Sequence, residues 1–153
     1  WLLNSNPKLA DLITSKIGDE WIKDMDKISE FKKFVNDKKV LKLYANRVSS
    51  RVLKAGQSVG YGGAFTAKYD MNIATYDLGY GDGLFRYNGK GELNLANGEP
   101  ILGKMSMDSF SSTDMGDRVC VIDDANIWAE FFDTINYDIL VKLSPLINRR
   151  VVE

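Results

Sequence analysis

The sequence predicts a mainly β fold: a small antiparallel β-barrel or Greek-key-like domain, with an N-terminal helical hairpin and short C-terminal helices. In residues 1–38 apolar side chains recur at helical spacing, and from Val40 onward the spacing becomes that of a strand. Short β-prone runs then alternate with Gly-containing turns, which is typical of antiparallel sheets rather than βαβ units. We therefore divide the chain into a helical hairpin, residues 1–38, and a β domain, residues 39–153.

The hairpin is predicted from caps and from an apolar stripe. Asn6-Pro7 begins the first helix, Gly18 ends it, and Asp19 caps the second. The second helix carries one apolar face opposite Lys and Asp side chains, comprising Trp21, Ile22, Met25, Ile28, Phe31, Phe34 and Val35. Because so large a stripe is costly to leave in water, we expect the β domain or a second copy of the chain to cover it.

The β domain is predicted to begin with one long strand within Val40–Val52. The later β-prone runs are Asn72–Leu78, Glu92–Leu95, Ile101–Leu102, Phe110–Ser112 and Arg118–Ile122. Asp124 is expected to cap a helix that runs to Asp133, and Asn136–Leu143 is expected to form a second helix that stops before Pro145.

Composition excludes several classes of site and partner. The chain contains no histidine, so it cannot by itself build a His-ligated zinc site or a Ser-His-Asp triad. Its one cysteine, Cys120, lies in an apolar run and is predicted to be a small core residue. No apolar run reaches the roughly 20 residues that span a bilayer, and no signal peptide is evident. The acidic residues also lack EF-hand spacing, so no metal site is predicted.

The charge distribution is uneven. Residues 1–54 carry twelve Lys/Arg and seven Asp/Glu, whereas residues 55–153 carry eight and fourteen. A basic first third could face nucleic acid, but its acids are interleaved with the lysines at helical spacing, which favours a solvated helix.

Four segments carry a resemblance to a known family. They are S-V-G-Y-G at 58–62, L-G-Y-G-D-G-L-F-R at 78–86, P-I-L-G-K-M-S-M-D at 100–108 and T-I-N-Y-D at 134–138. Their order and content resemble the signatures V-G-Y-G, G-Y-A-D-G-x-x-R, P-I-x-G-R-x-x-M-D and T-I-x-Y-E of the alanine racemase C-terminal domain. The resemblance covers residues 41–153, and residues 1–38 resemble no family that we can place.

The resemblance implies a cytoplasmic enzyme that interconverts L- and D-alanine for peptidoglycan precursors. In that family a barrel domain holds pyridoxal 5'-phosphate (PLP) on a lysine, and the C-terminal domain of one subunit completes the site on the barrel of the other in a homodimer. The sequence contains neither the barrel nor the PLP-lysine segment, so the chain alone is expected to be inactive. No nucleic acid or membrane partner is expected.

The resemblance also implies roles for individual residues. Tyr80 matches the tyrosine that acts as one of two bases on opposite faces of the substrate. A phenol is a poor base near neutral pH, so such a tyrosine needs cations or donors that favour the phenolate. Met107 matches the residue whose backbone N–H binds the substrate carboxylate. Tyr137 matches the tyrosine that lines the substrate entrance near the PLP phosphate. The supporting residues implied by the same signatures are Asp82, Arg86, Lys104 and Asp108.

Three departures from the signatures leave alternatives open. Gly81 replaces the usual alanine, Lys104 a usual arginine, and Asn136-Tyr137-Asp138 the usual G-Y-E. An amino-acid racemase with broader specificity, such as one that accepts serine, therefore stays open. So does a non-catalytic dimerisation or binding β-barrel. A PLP barrel decarboxylase is less favoured, because Cys120 lies in an apolar strand run rather than in the site context of that family.

Overall fold

The computed structural model describes residues 41–150 of the chain. The predicted hairpin at residues 1–38, with its boundary to the β domain, lies outside the described residues and stays a prediction. The described part is mainly β, as predicted. Its strands are β1 (Leu43–Leu53), β2 (Ser58–Val59), β3 (Phe65–Thr66), β4 (Met71–Tyr76), β5 (Phe110–Thr113) and β6 (Arg118–Ile122). Its helices are a 3₁₀ turn (Tyr80–Asp82), α1 (Ala125–Phe131) and α2 (Asn136–Lys142).

Four strands form one antiparallel sheet in the order β5-β4-β1-β6. The first three of these strands along the chain lie side by side, and the fourth returns beside the first, which is the strand order of a Greek key. The sheet is curled like half a barrel. Strands β2 and β3 form a separate two-stranded hairpin.

The long strand β1 pairs with two neighbouring strands. Residues 43–46 pair with β6, and residues 47–53 pair with β4. The register shifts between Arg47 and Ser49, and such irregularities bend a strand and increase its twist. Two hydrogen bonds from Arg47 Nη1 to the Asp114 carboxylate, at 2.9 and 3.1 Å, brace the strand at this point.

Both helices pack onto the sheet through buried side chains. Trp128 of α1 and Ile139 of α2 are almost fully buried in the main core, together with Tyr76 and Phe110 of the sheet. Asp124 caps α1 as predicted, because its carboxylate accepts the Asn126 N–H at 2.9 Å. The helix ends two residues earlier than predicted, since Asp133 has a φ of 51° and cannot continue it.

Two predicted strands are absent from the described sheets. Glu92–Leu95 and Ile101–Leu102 meet at a single bridge between Asn94 and Pro100, beside a hydrogen bond from Ile101 N to Leu93 O. The two hydrogen bonds that flank the bridge, Ile101 N to Leu93 O and Leu95 N to Glu99 O, close a short local pairing around the Asn97-Gly98 turn rather than a strand of the main sheet. The β2–β3 hairpin was not predicted.

Cys120 lies half-buried in β6 rather than fully inside the core. Within residues 41–150, neither helix has the length and apolar character that crossing a bilayer requires.

Candidate active site

Tyr80 begins a short 3₁₀ turn that a neighbouring carboxylate closes. The Gly79 N–H donates to Asp82 Oδ2 at 2.9 Å, and the Asp82 N–H donates back to Gly79 O at 3.2 Å. Gly83, with a φ of 97°, ends the turn in a conformation that favours glycine. The Asp82 side chain thus shapes the backbone that presents Tyr80, and its supporting role in a site stays a prediction.

The Tyr80 turn is fixed to the segment that carries Met107. Tyr80 N donates to Ser106 O at 3.2 Å, and Gly81 N donates to Met107 O at 2.7 Å. The two backbones approach so closely that a Cβ on Gly79 would overlap Met107 O. These contacts place two residues that lie far apart in the sequence, Tyr80 and Met107, in adjoining segments.

Met107 lies on an exposed bend with a potential donor. Ser106 Oγ donates to Ser109 O at 2.9 Å, and Ser106 N donates to the same carbonyl at 2.9 Å, which tightens the bend. Asp108 Oδ1 accepts from Ser106 Oγ at 3.2 Å. The Met107 N–H has no acceptor among residues 41–150, and the residue is 61% exposed. The bend therefore leaves one backbone donor available to an anionic group.

Tyr137 lies in the first turn of α2, which side-chain hydrogen bonds brace. Thr134 Oγ1 donates to Asp138 Oδ2 at 2.5 Å, and Asn136 Nδ2 donates to Asn126 Oδ1 of α1 at 3.0 Å. Tyr137 itself is 49% exposed. The T-I-N-Y-D segment thus holds the start of α2 while leaving the tyrosine accessible.

The end of α2 contacts the Tyr80 turn directly. Ser144 N donates to Asp82 O at 2.8 Å. Gly83 packs so closely against Lys142 that a Cβ would overlap the Lys142 carbonyl oxygen. The Lys142 ammonium also lies 3.8 Å from the centroid of the Phe85 ring. The segments that carry Tyr80, Met107 and Tyr137 are therefore joined in one part of the domain.

Two predicted supporting residues occupy different positions. The guanidinium carbon of Arg86 lies 5.3 Å from the Tyr80 ring centroid, a cation–π distance, so Arg86 contacts the proposed base. Lys104 lies instead beside the V-G-Y-G segment, where its carbonyl accepts from Tyr61 N at 3.4 Å. Its ammonium forms no ion pair within the described part of the chain.

The tyrosine hydroxyls fall into two groups. Tyr76 OH accepts from Met115 N at 2.9 Å, and Tyr87 OH donates to Gly91 O at 2.7 Å. Burial raises the pKa of both tyrosines. The hydroxyls of Tyr80 and Tyr137 have no hydrogen-bond partner among residues 41–150, and the same is true of the exposed Tyr44, Tyr61 and Tyr69.

Known proteins resemble the chain in sequence and in fold. The family model for the alanine racemase C-terminal domain matches residues 40–151. The chain belongs to this family. A relative named alanine racemase from Campylobacter concisus is 69% identical over 124 residues, which cover 81% of this chain and 37% of that protein. The chain thus spans well under half the length of this relative.

Solved structures of racemases share the fold. An alanine racemase from Bartonella henselae, with covalently bound pyridoxal phosphate, superimposes with a TM-score of 0.59 at 31% identity, covering 67% of this chain and 32% of that one. A histidine racemase from Leuconostoc mesenteroides subsp. sake superimposes with a TM-score of 0.62 at 26% identity, covering 73% and 34%.

A second family model, carbohydrate phosphorylase, matches residues 1–54. This match covers residues 1–38, for which the sequence motifs indicated no family. The two matches overlap at residues 40–54, and most of that overlap is strand β1. Because β1 pairs with β4 and β6, its structure belongs to the racemase-like sheet.

Sequence reasoning missed the residues that join α2 to the Tyr80 turn. Gly83 was visible in the G-Y-G-D-G motif but received no role. Lys142 and Ser144 carried no signal, because a lysine and a serine at a helix end are ordinary. Only the fold shows that they contact Asp82 and Gly83.

Proposed function

We propose that the β domain is the C-terminal part of an alanine racemase subunit and completes a PLP site on the barrel of a partner subunit. In this proposal the full-length homodimer is a cytoplasmic isomerase that interconverts L- and D-alanine and supplies D-alanine for peptidoglycan. The observation that carries the proposal is the pair of backbone hydrogen bonds that fixes the Tyr80 turn to Ser106 and Met107. It brings a potential base and a potential carboxylate donor into adjoining segments.

Tyr80 would exchange the α-proton on one face of the substrate. Its phenolate oxygen accepts that proton from L-alanine, and the neutral phenol returns it in the reverse direction. Its hydroxyl has no hydrogen-bond partner among residues 41–150, so the donors or cations that favour the phenolate would come from the barrel domain. Arg86, over the ring face, would hold the ring in one orientation.

Met107 and Tyr137 would position the substrate. The available N–H of Met107 can donate to the α-carboxylate, and a charged acceptor strengthens such a bond. The half-exposed Tyr137 can narrow the entrance with its ring while its hydroxyl donates one hydrogen bond. Asp82 would maintain the turn between these elements.

The described residues fit PLP as a shared ligand rather than as one that this domain anchors. The six lysines within residues 41–150 are all exposed, so none provides an enclosed anchor: Lys42, Lys54, Lys68, Lys90, Lys104 and Lys142. Tyr137 is the residue here that would contact the PLP phosphate. Bound PLP would supply the electron sink that stabilises negative charge at the substrate α-carbon.

A chimera tests the proposal. Residues 41–153 would replace the matching C-terminal residues of the Campylobacter concisus relative, and we call this protein the racemase chimera. We expect it to bind PLP and to interconvert the alanine isomers at a rate near that of the intact relative. A folded, PLP-loaded chimera without racemase activity would contradict the proposal.

A broader-specificity racemase is the second candidate. It is favoured by the structural similarity to a histidine racemase and by Gly81, where a Cβ would lie 3.0 Å from Met107 Cγ. Turnover of L-serine and L-histidine by the racemase chimera, relative to L-alanine, separates the two candidates. A non-catalytic binding domain would instead leave the chimera inactive towards all three.

A further inference from the structure

None of the residue roles proposed above uses the contact between the Tyr80 turn and the end of α2. It consists of the Ser144 N–H donating to Asp82 O, of Gly83 against the Lys142 carbonyl, and of the Lys142 ammonium over Phe85. These contacts use backbone and side-chain groups from both elements. We call them the turn–helix joint.

We propose that the turn–helix joint couples the position of Tyr137 to that of Tyr80, which makes Asp82 and Gly83 positioning residues for both tyrosines. This inference rests on the proposed function for its catalytic consequence, whereas the coupling itself is a property of the fold.

Asp82 is suited to this role because it acts on both sides of the joint. Its carboxylate accepts the Gly79 N–H on the turn side, and its carbonyl accepts the Ser144 N–H on the helix side. A change that loosens the carboxylate contact therefore displaces the carbonyl that holds the helix end.

Gly83 allows the two elements to approach. Its φ of 97° suits glycine, and any Cβ would overlap the Lys142 carbonyl oxygen. A side chain at this position must therefore separate the turn from α2. Lys142 contributes to the same joint from the helix side, since its ammonium lies over the Phe85 ring.

Amide hydrogen exchange in the full 153-residue chain tests the coupling directly. The Ser144 amide reports on the joint, because it donates across it. We expect Asp82→Ala to speed exchange of Ser144 and of the α2 amides about tenfold, with α1 and β4 unchanged, as local opening predicts. Asp82→Asn, which keeps a carbonyl acceptor for Gly79 N–H, should restore most of the protection.

Asp70→Ala is the matched control. The Asp70 carboxylate also accepts a backbone N–H, from Ala55 at 2.9 Å, but it lies outside the joint. This variant should leave exchange in α2 unchanged. Equal exchange at Ser144 in Asp82→Ala and wild type, or equal acceleration throughout the domain, would overturn the coupling.

The racemase chimera tests the catalytic consequence. Lys142→Met should raise KM for alanine with little change in kcat, because it loosens only the helix side. Asp82→Ala should lower kcat as well, and Asp82→Asn should recover it. Gly83→Ala should show both effects if it folds. An inactive unsubstituted chimera would contradict the proposed function but not the coupling, because the coupling is tested separately by amide hydrogen exchange in the chain. An active chimera with unchanged kcat and KM in Asp82→Ala and Lys142→Met would overturn the positioning role.

Discussion

Gly79 and Met107 are in such close contact that no side chain fits between them. A Cβ on Gly79 would overlap the Met107 carbonyl oxygen and would lie 2.5 Å from Asp108 N. The backbone of Gly79 has a φ of −142°, which any residue adopts, so glycine is required here by space alone. This contact sets the separation between the proposed base and the proposed carboxylate donor.

Gly79→Ala is therefore expected to destabilise the domain. Overpacking of this kind costs about 1–3 kcal/mol, and here the neighbouring atoms belong to the backbone and cannot rotate away. Urea unfolding of the chain measures the loss.

Gly81→Ala is the matched comparison for Gly79→Ala. A Cβ at position 81 would lie 2.9 Å from Met107 O and 3.0 Å from the flexible Met107 Cγ, so it should cost less. If both variants unfold at the same urea concentration as wild type, the close approach is not a constraint on the site.

Acid should destabilise the domain through Asp114. The pKa of Asp114 is lowered because it accepts the Gly116 N–H and hydrogen bonds from Arg47. A carboxylate with a lowered pKa stabilises the fold fully above its unfolded-state pKa, which is about 4 for a carboxyl group, and this stabilisation is lost as the pH falls through the folded-state value. Asp114→Asn should therefore flatten the decline in unfolding free energy below about pH 4.

Arg47→Met provides the control for the acid prediction. It removes the arginine but keeps the Gly116 N–H, which is the largest cause of the lowered pKa of Asp114. The decline of its unfolding free energy with falling pH should therefore lie between those of wild type and Asp114→Asn. If the unfolding free energy of Asp114→Asn falls with decreasing pH as steeply as that of wild type, the Asp114 carboxylate does not cause the loss of stability in acid.

A polypeptide of these 153 residues should neither retain PLP through gel filtration nor racemise alanine. The reason is that the family resemblance assigns the PLP lysine to the barrel domain and not to the domain that this chain matches, and that the lysines within residues 41–150 are exposed and provide no enclosed anchor. Incubation with PLP followed by gel filtration and visible absorbance measures this. A retained absorbance band that disappears on substitution of one particular lysine would refute the expectation.

Tyr137→Phe should affect substrate affinity more than turnover. The ring that narrows the entrance remains, and one hydrogen bond is lost, which corresponds to a rise in KM of about two- to tenfold. Steady-state kinetics of the racemase chimera measure the effect. A fall in kcat as large as that of Tyr80→Phe would mean that the roles of the two tyrosines are assigned wrongly.

The sequence predicted the elements whose pattern is local. Strand β1 follows from apolar residues at strand spacing, β6 follows from a run of apolar residues, and α1 follows from its Asp124 cap. The β2–β3 hairpin was missed because two-residue strands are too short to show alternation. The runs around Leu93 and Ile101 look β-prone, but they pair with each other through only one bridge and its two flanking hydrogen bonds.

The candidate site was predictable by resemblance but not by physical pattern. Tyr80, Met107 and Tyr137 were identified from matched signatures. Only the fold shows that the segments that carry them lie next to each other. The turn–helix joint depends on Gly83 meeting the carbonyl of Lys142, a long-range backbone contact that leaves no trace in local sequence. Such contacts depend on tertiary packing rather than on propensity.

Exchange of the α-proton of L-alanine with solvent deuterium tests the role of Tyr80 most directly. In the PLP-loaded racemase chimera, Tyr80→Phe should slow this exchange by about 10²–10⁴-fold, the usual effect of removing a positioned acid–base group. Exchange from D-alanine should slow less, because a lysine of the barrel serves that face. Circular dichroism and PLP content should match those of the unsubstituted chimera. Equal exchange of L-alanine by the Tyr80→Phe variant and the unsubstituted chimera would contradict the central claim that Tyr80 is the base.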